Sequence, residues 1–198
     1  MNGQLMISIG REFGSGGHEI AEKIAKELGL DFYDRNILEQ IAVEKHVNSD
    51  TLKNYDEKGK KLFLTRSVGK YTTSIEQNLA EIQFDFIRKK ADSGESFVIV
   101  GRCAESVLRG REGLVSVFVL GDEEEKLRRI EERFNISSKE ADIKRKRQDT
   151  ERKQYHNEHS MYKWGDSRGY DLCINSSRLG IDGTVKAIMD YINLRTNQ

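Results

Sequence analysis

The sequence has no proline, and only two cysteines and one tryptophan in its 198 residues. Cys103 and Cys173 match no spacing that is typical of a zinc site or a redox motif. We therefore expect two reduced thiols in a reducing compartment. No apolar run approaches the length of a membrane-spanning helix, and the N-terminal residues lack a signal-like apolar stretch. The sequence predicts a cytoplasmic protein that does not act at a membrane.

An excess of charge of one sign is also missing. Lysine and arginine number 33, as do aspartate and glutamate, so the formal net charge is zero. Balanced charge argues against nonspecific nucleic-acid binding by the chain as a whole. Apolar residues make up 36% and charged residues 33%, as in a globular protein with a highly charged surface. The length fits a single domain that can bury a core.

Strand-like and helix-like segments alternate along the chain. Short apolar runs predict buried strands at residues 5–9, 31–33, 97–100, 114–120 and 171–174. Apolar residues at helical spacing predict helices at residues 18–28, 36–44, 73–90, 122–133, 137–157 and 182–194. This alternation predicts an α/β fold, in which helices cover both faces of a parallel sheet of about five strands.

A glycine-rich loop separates the first predicted strand from the first predicted helix. Glycine tolerates a positive φ and lets a phosphate approach the backbone closely, and the start of the following helix attracts the same anion. We therefore expect this loop to bind the phosphates of a nucleotide. The alternative is a tight glycine turn without a ligand. The predicted phosphate-binding residues are Gly10, Phe13, Gly14, Ser15, Gly16, Gly17 and His18.

The residues around this loop resemble a known family. Residues 7–20 (ISIGREFGSGGHEI) and residues 31–35 (DFYDR) resemble the cytidylate kinase-like family, a branch of the P-loop nucleoside monophosphate kinases. The resemblance extends along the whole chain and implies a three-layer α/β/α sandwich. It implies an ATP- and Mg²⁺-dependent transfer of a phosphoryl group to a nucleoside monophosphate or a similar small acceptor. The whole of 1–198 would be one kinase domain, with an acceptor-binding helical insert at 47–92 and a lid at 134–168.

The family's kinases have a lysine in this loop, which the present chain lacks. Gly17 or His18 stands in its place, and His18 or Glu19 stands where a serine or threonine holds magnesium. Arg11, inside the loop, is the local substitute for the missing cation. We hypothesise that Arg11 neutralises the charge that develops during transfer.

The resemblance also implies a set of acceptor-binding residues. Arg102 follows the third predicted strand and would hold the acceptor phosphate as a catalytic residue, with Asp34 as the carboxylate for magnesium or for acceptor orientation. The family's Arg-x3-Asp-x2-Arg spacing recurs in Arg145, Asp149 and Arg152, which share one face of a helix. Arg35 completes the predicted acceptor site. Arg128, Arg129 and Arg133 are candidate lid residues for the donor phosphates.

Other interpretations of these residues stay open. Arg102 could form a surface salt bridge, and the Arg145–Asp149–Arg152 set could be a solvated charged face. Val100 replaces an aspartate of the family's kinases, which leaves cytosine recognition undecided. We expect His156 at the surface, and no metal site built from protein ligands alone. The sequence would also fit a nucleotide-binding sensor without turnover or a kinase for a non-nucleotide acceptor. The sequence does not indicate the oligomeric state.

Overall fold

The computed structural model describes residues 3–34, 37 and 70–196. Three predictions therefore lie wholly or mostly outside the described residues. They concern the helix at 36–44, the acceptor-binding role of Arg35 and the first half of the insert at 47–92.

Five parallel strands form a single sheet in the order β2-β3-β1-β4-β5. Their bounds are β1 Met6–Arg11, β2 Asp31–Tyr33, β3 Phe97–Val100, β4 Leu114–Leu120 and β5 Leu172–Asn175. The central strand β1 pairs with β3 on one side and β4 on the other. The predicted α/β fold with a parallel sheet is confirmed.

Helices connect the strands and cover the sheet. Numbered along the described residues, they are α1 Gly17–Leu28, α2 Lys70–Asp92, α3 Ala104–Val107, α4 Glu123–Phe134, α5 Ser138–His159 and α6 Ser176–Thr196. The short helix α3 was not predicted. Gly180, with φ 67° and ψ −179°, interrupts α6, and the predicted helix at 182–194 is the part that follows this break. Among the described helices, none is both long and apolar enough to cross a bilayer.

Alternate residues of the strands enter opposite layers of the core. Ile7 and Ile9 of β1 pack in the layer formed with α1 and α6, which contribute residues such as Ile24 and Ile188. Met6 packs in the other layer, together with apolar residues of α2 such as Phe86 and Ile87. Successive side chains of a strand point to opposite faces, so two buried faces give a three-layer sandwich.

The loops at the carboxyl ends of β1, β3 and β4 lie side by side because these strands are neighbours. In an open parallel sheet, this edge is where ligands bind. The glycine-rich loop follows β1, and Gly101 and Arg102 follow β3. The fold thus places Gly101 and Arg102 at the same edge as the glycine-rich loop.

Candidate active site

The glycine-rich loop after β1 has a backbone conformation that favours glycine at two positions. Gly14 and Gly16 have φ values of 86° and 76°, in the left-handed region. A Cβ atom at Gly14 would lie 2.7 Å from the Lys126 carbonyl oxygen, and one at Gly16 would overlap the Ile181 side chain. The loop therefore turns tightly against α4 and Ile181 as it leads into α1.

A buried ion pair holds this loop against α4. The Glu12 carboxylate accepts hydrogen bonds from Lys126 Nζ at 2.8 Å and from the Gly121 N–H at 3.1 Å. Only 6% of the Lys126 side chain is exposed. On the other side, the Ser176 hydroxyl donates to the Ser15 carbonyl at 2.6 Å. These contacts fix the loop to α4 and α6.

The Arg11 side chain occupies the space beside Gly17. A Cβ atom at Gly17 would lie 2.5 Å from Arg11 Cβ and 3.1 Å from Arg11 Cγ, so no larger residue fits there with Arg11 in this position. The Arg11 guanidinium group then extends to Gly101, at the end of β3. This packing gives a physical reason why the chain has glycine at Gly17. It places a cation between the loop and the end of β3.

Arg102 and Arg152 join Arg11 around a pocket at the carboxyl edge of the sheet, with Tyr155 and Trp164 in its wall. The Arg102 guanidinium lies 6.0 Å from the centroid of the Tyr155 ring. A concave site with several guanidinium groups suits an anionic ligand, because each group can donate two hydrogen bonds to phosphate or carboxylate oxygens.

The backbone after β3 is strained. Gly101, Arg102 and Cys103 have φ values of 76°, 58° and 52°, three left-handed residues in succession. This conformation costs about 1–2 kcal/mol for each residue that is not glycine. Such strain persists where the surrounding structure requires it, often at functional sites. Here it turns the chain sharply into α3 and sets Arg102 in the pocket.

The three residues with the Arg-x3-Asp-x2-Arg spacing have different surroundings. Arg152 lines the pocket, and its Nη1 donates to the Arg11 carbonyl at 3.3 Å. Arg145 forms ion pairs with Glu123 at 3.0 Å and Asp142 at 2.8 Å, where α4 packs on α5. The structure therefore brings Arg152, but not Arg145, next to Arg102.

Asp149 lies against the loop itself. Its Oδ1 accepts a hydrogen bond from the Phe13 N–H at 2.7 Å. Burial raises the pKa of the Asp149 carboxyl above its ordinary value, and the hydrogen bond from Phe13 opposes that shift in the pKa. A carboxylate thus occupies one of the N–H groups that the sequence assigned to phosphate.

The predicted carboxylate at the end of β2 pairs with the start of α1. His18 Nε2 lies 2.9 Å from Asp34 Oδ2. The Asp34 side chain is 20% exposed and the His18 side chain 41%, so solvent and ligands can reach both. The pair places an oxygen ligand of the kind that magnesium prefers beside the start of α1.

The three candidate lid arginines lie on α4 and differ in position. Arg129 Nη1 donates to the Ser176 hydroxyl at 3.3 Å and lies beside Gly16. Arg128 is exposed and forms ion pairs with acidic residues of its own helix. The Arg133 guanidinium lies 5.7 Å from the centroid of the Phe134 ring. Of the three, Arg129 is the one that the structure places at the loop.

A buried polar pair next to the pocket was missed by the sequence analysis. His156 Nε2 lies 2.9 Å from Glu105 Oε1, and each residue is 6% exposed. The prediction that His156 lies at the surface is therefore wrong. Burial raises the pKa of the neighbouring Cys103 thiol and that of the Tyr170 hydroxyl well above their ordinary values. His156 comes from α5, 51 residues after Glu105, and a pair so far apart gives no spacing signal.

Comparisons with known proteins identify the family and the fold. Residues 6–178 match the cytidylate kinase-like family. An uncharacterized protein from Eubacterium ventriosum has 38% identity and a TM-score of 0.77 over 96% of this chain and 99% of that one. No curated protein matches the sequence.

More distant solved structures share the fold alone. A shikimate kinase from Acinetobacter baumannii in complex with shikimate has 12% identity and a TM-score of 0.55 over 100% of this chain and 97% of that one. A gluconokinase from Sinorhizobium meliloti has 16% identity and a TM-score of 0.54 over 98% and 94% of the two chains.

Proposed function

The chain belongs to the cytidylate kinase-like family, and we propose that it transfers the γ-phosphoryl group of ATP to a nucleoside monophosphate or a similar small acceptor. Its family and its fold are those of phosphotransferases. The observation that carries the proposal is the position of Arg11, whose guanidinium group extends from the glycine loop to Gly101. Phosphoryl transfer needs positive charge between donor and acceptor, and Arg11 supplies it without the usual lysine.

The donor would bind at the glycine loop. The left-handed Gly14 and Gly16 let the loop turn tightly into α1, and the start of α1 attracts anions. Arg129, beside Gly16, can reach the donor phosphates. Asp34 suits a magnesium ion bound with the nucleotide, and such an ion would neutralise phosphate charge.

The acceptor would bind in the pocket beyond Arg11. Arg102 and Arg152 would hold its anionic group, and Tyr155 and Trp164 would form the wall. Helix α5 belongs to the proposed lid at 134–168 and already contacts the loop through Arg152. Closure over both ligands would exclude water, which otherwise hydrolyses ATP.

A second candidate function is that of a nucleotide sensor without turnover, and the contact between Asp149 and Phe13 favours it. The loop lacks the lysine, and the Asp149 carboxylate accepts a hydrogen bond from the Phe13 N–H that a phosphate would use. Such a protein would bind ATP and release it unchanged. Val100 in the place of the family's aspartate keeps a kinase for a non-nucleotide acceptor as a third candidate.

The test is ADP formation from Mg-ATP by the purified full chain, screened across ribo- and deoxyribonucleoside monophosphates. The proposal predicts ADP formation that depends on one acceptor class and exceeds the protein-free control. A flat screen with folded protein that still binds Mg-ATP would favour the sensor. Turnover only with other small anions would identify a kinase for a non-nucleotide acceptor.

A further inference from the structure

Three buried side chains with metal-binding atoms meet in the wall of the pocket that Arg102 and Arg152 also line. One ligand atom each of Cys103, Glu105 and His156 lies within 4.8 Å of the other two. Cys103 and Glu105 come from the strained turn into α3, and His156 comes from α5. Their exposed fractions are 2%, 6% and 6%, so all three lie away from bulk solvent.

The chemistry of this donor set is that of a zinc site. Thiolate, imidazole and carboxylate bind Zn²⁺ at about 2.0–2.3 Å, which places tetrahedral ligand atoms about 3.3–3.6 Å apart. In the cluster, His156 Nε2 and Glu105 Oε1 are 2.9 Å apart and all three ligand atoms lie within 4.8 Å of one another, so the side chains must adjust to reach this spacing. We propose that Cys103, Glu105 and His156 bind a divalent transition metal ion of the Zn²⁺ type.

An ion pair between Glu105 and His156 accounts for only part of the cluster. With Nε2 as the metal ligand, the ring proton lies on His156 Nδ1, which is buried and has no hydrogen-bond partner among the described residues. The pair leaves unexplained why a thiol adjoins it, held there by a left-handed residue at φ 52°. A metal site gives Cys103, Glu105 and His156 one common role. It also gives a reason for the strain in the turn that carries Cys103.

The charges balance in the bound state. A dication with one thiolate, one carboxylate and a neutral imidazole is neutral, which suits a buried position. The ion enters from solvent, and the Cys103 thiol releases its proton to solvent as the metal–sulfur bond forms. The nearby guanidinium groups of Arg102 and Arg152 lie over the rings of Tyr155 and Phe13, at 6.0 and 5.3 Å.

The site would join two parts of the fold that form the pocket. Cys103 and Glu105 lie next to Arg102, and His156 lies four residues beyond Arg152 on α5. A metal ion held by both segments fixes the distance between those two arginines. The Tyr170 hydroxyl, 3.3 Å from His156 Nε2, lies where it or a ligand oxygen could complete the coordination.

Metal binding by the full chain tests this proposal without any assay of turnover. The tag-free protein is stripped with a chelator and titrated with Zn²⁺ and, separately, with Co²⁺. We expect one ion per chain and, with Co²⁺, an absorption band from sulfur-to-cobalt charge transfer. Cys103→Ala should abolish that band and weaken Zn²⁺ binding by about 100-fold. The matched control is Cys173→Ala, since Cys173 is the exposed cysteine and should keep both properties.

Three results would overturn the proposal. They are no stoichiometric ion in the wild type, a Co²⁺ spectrum without the sulfur band, and Zn²⁺ affinity unchanged by Cys103→Ala. If Cys103→Ala does not fold, two other measurements test the proposal. One is the Co²⁺ spectrum of the wild type. The other is the Zn²⁺ affinity of the folded Glu105→Gln variant, which we expect to be at least ~10-fold weaker than that of the wild type. Metal could bind at this site in a protein without kinase activity, and kinase activity could occur in a protein that binds no metal here. The two proposals are therefore tested separately.

Discussion

The Asp149 carboxylate accepts a hydrogen bond of 2.7 Å from the Phe13 N–H, and so joins α5 to the glycine loop. One helical turn further on, Arg152 donates to the Arg11 carbonyl. The proposed lid helix therefore contacts the loop with a carboxylate where we expect a donor phosphate. A bound nucleotide must displace that carboxylate or bind beside it, which has measurable consequences.

Removing the charge of Asp149 should strengthen nucleotide binding. In Asp149→Asn, the repulsion between the carboxylate and a donor phosphate is lost. We expect Mg-ATP to bind about 3- to 10-fold more tightly at neutral pH. Titration with a fluorescent ATP analogue measures the change. Glu151→Gln, an exposed substitution on the same helix, is the control and should leave the affinity unchanged. Weaker binding by Asp149→Asn would show that the carboxylate helps to hold the nucleotide.

The same pair predicts a pH dependence with a definite sign. Burial raises the pKa of Asp149, so its carboxyl takes up a proton at a higher pH than an ordinary aspartate. As the pH falls through that raised pKa, the repulsion disappears in the wild type. The affinity advantage of Asp149→Asn should therefore shrink toward acid pH. An advantage that grows as the pH falls would contradict the account.

Arg102→Ala should separate acceptor binding from donor binding. Loss of the guanidinium group removes hydrogen bonds to the acceptor's anionic group but leaves the glycine loop intact. We expect the KM for the acceptor to rise at least ~10-fold more than the KM for ATP. Arg147→Ala, an exposed arginine on α5 paired with Glu151, is the matched control. Equal losses for both ligands would argue against an acceptor-binding role.

Gly16→Ala tests how tightly the loop packs, and the same substitution at Gly94, a glycine with a similar φ, serves as the comparison. Gly16 and Gly94 have φ values of 76° and 80°, so alanine at either position adds similar backbone strain. A Cβ at Gly94 has no neighbour within 4 Å, whereas one at Gly16 overlaps Ile181. We expect Gly16→Ala to lower the free energy of unfolding by about 2 kcal/mol more than Gly94→Ala. Urea unfolding measures both, and equal losses would mean that the contact with Ile181 yields easily.

Lys126→Met tests the ion pair behind the loop. The substitution leaves the Glu12 carboxylate, which is 25% exposed, without its cation, and we expect a loss of about 1–2 kcal/mol in the free energy of unfolding. Adding Glu12→Gln should recover part of that loss, because the uncompensated charge is then gone. A double-mutant cycle by chemical denaturation gives the coupling. Additive losses would show that the two side chains act independently.

The sequence was informative wherever the signal was local. The strands Asp31–Tyr33, Phe97–Val100 and Leu114–Leu120 have the predicted bounds, because each is a short run with apolar or β-branched residues flanked by polar residues or glycine. The position of the candidate site, at the carboxyl edge of the sheet, followed from the prediction that the strands are parallel. The presence of Arg11 at the loop also follows from its place at the end of β1.

Relationships between distant segments could not be read from spacing. Arg145 shares a helix face with Arg152, yet it pairs with Glu123 because α4 packs there. His156 is buried by Glu105 and Tyr170, residues from two other elements. A helix with charge on all sides gives no periodic sign of which face is covered, so only the packing of α5 shows it.

The most direct test of the central claim is the effect of Arg11→Ala on the rate of phosphoryl transfer to the acceptor found by the screen. If Arg11 replaces the missing lysine, kcat should fall about 100- to 1,000-fold, with a smaller change in Mg-ATP affinity and an intermediate rate for Arg11→Lys. Arg147→Ala should transfer at the wild-type rate. A folded Arg11→Ala protein that retains the wild-type kcat would contradict the claim that this arginine is the cation of the loop.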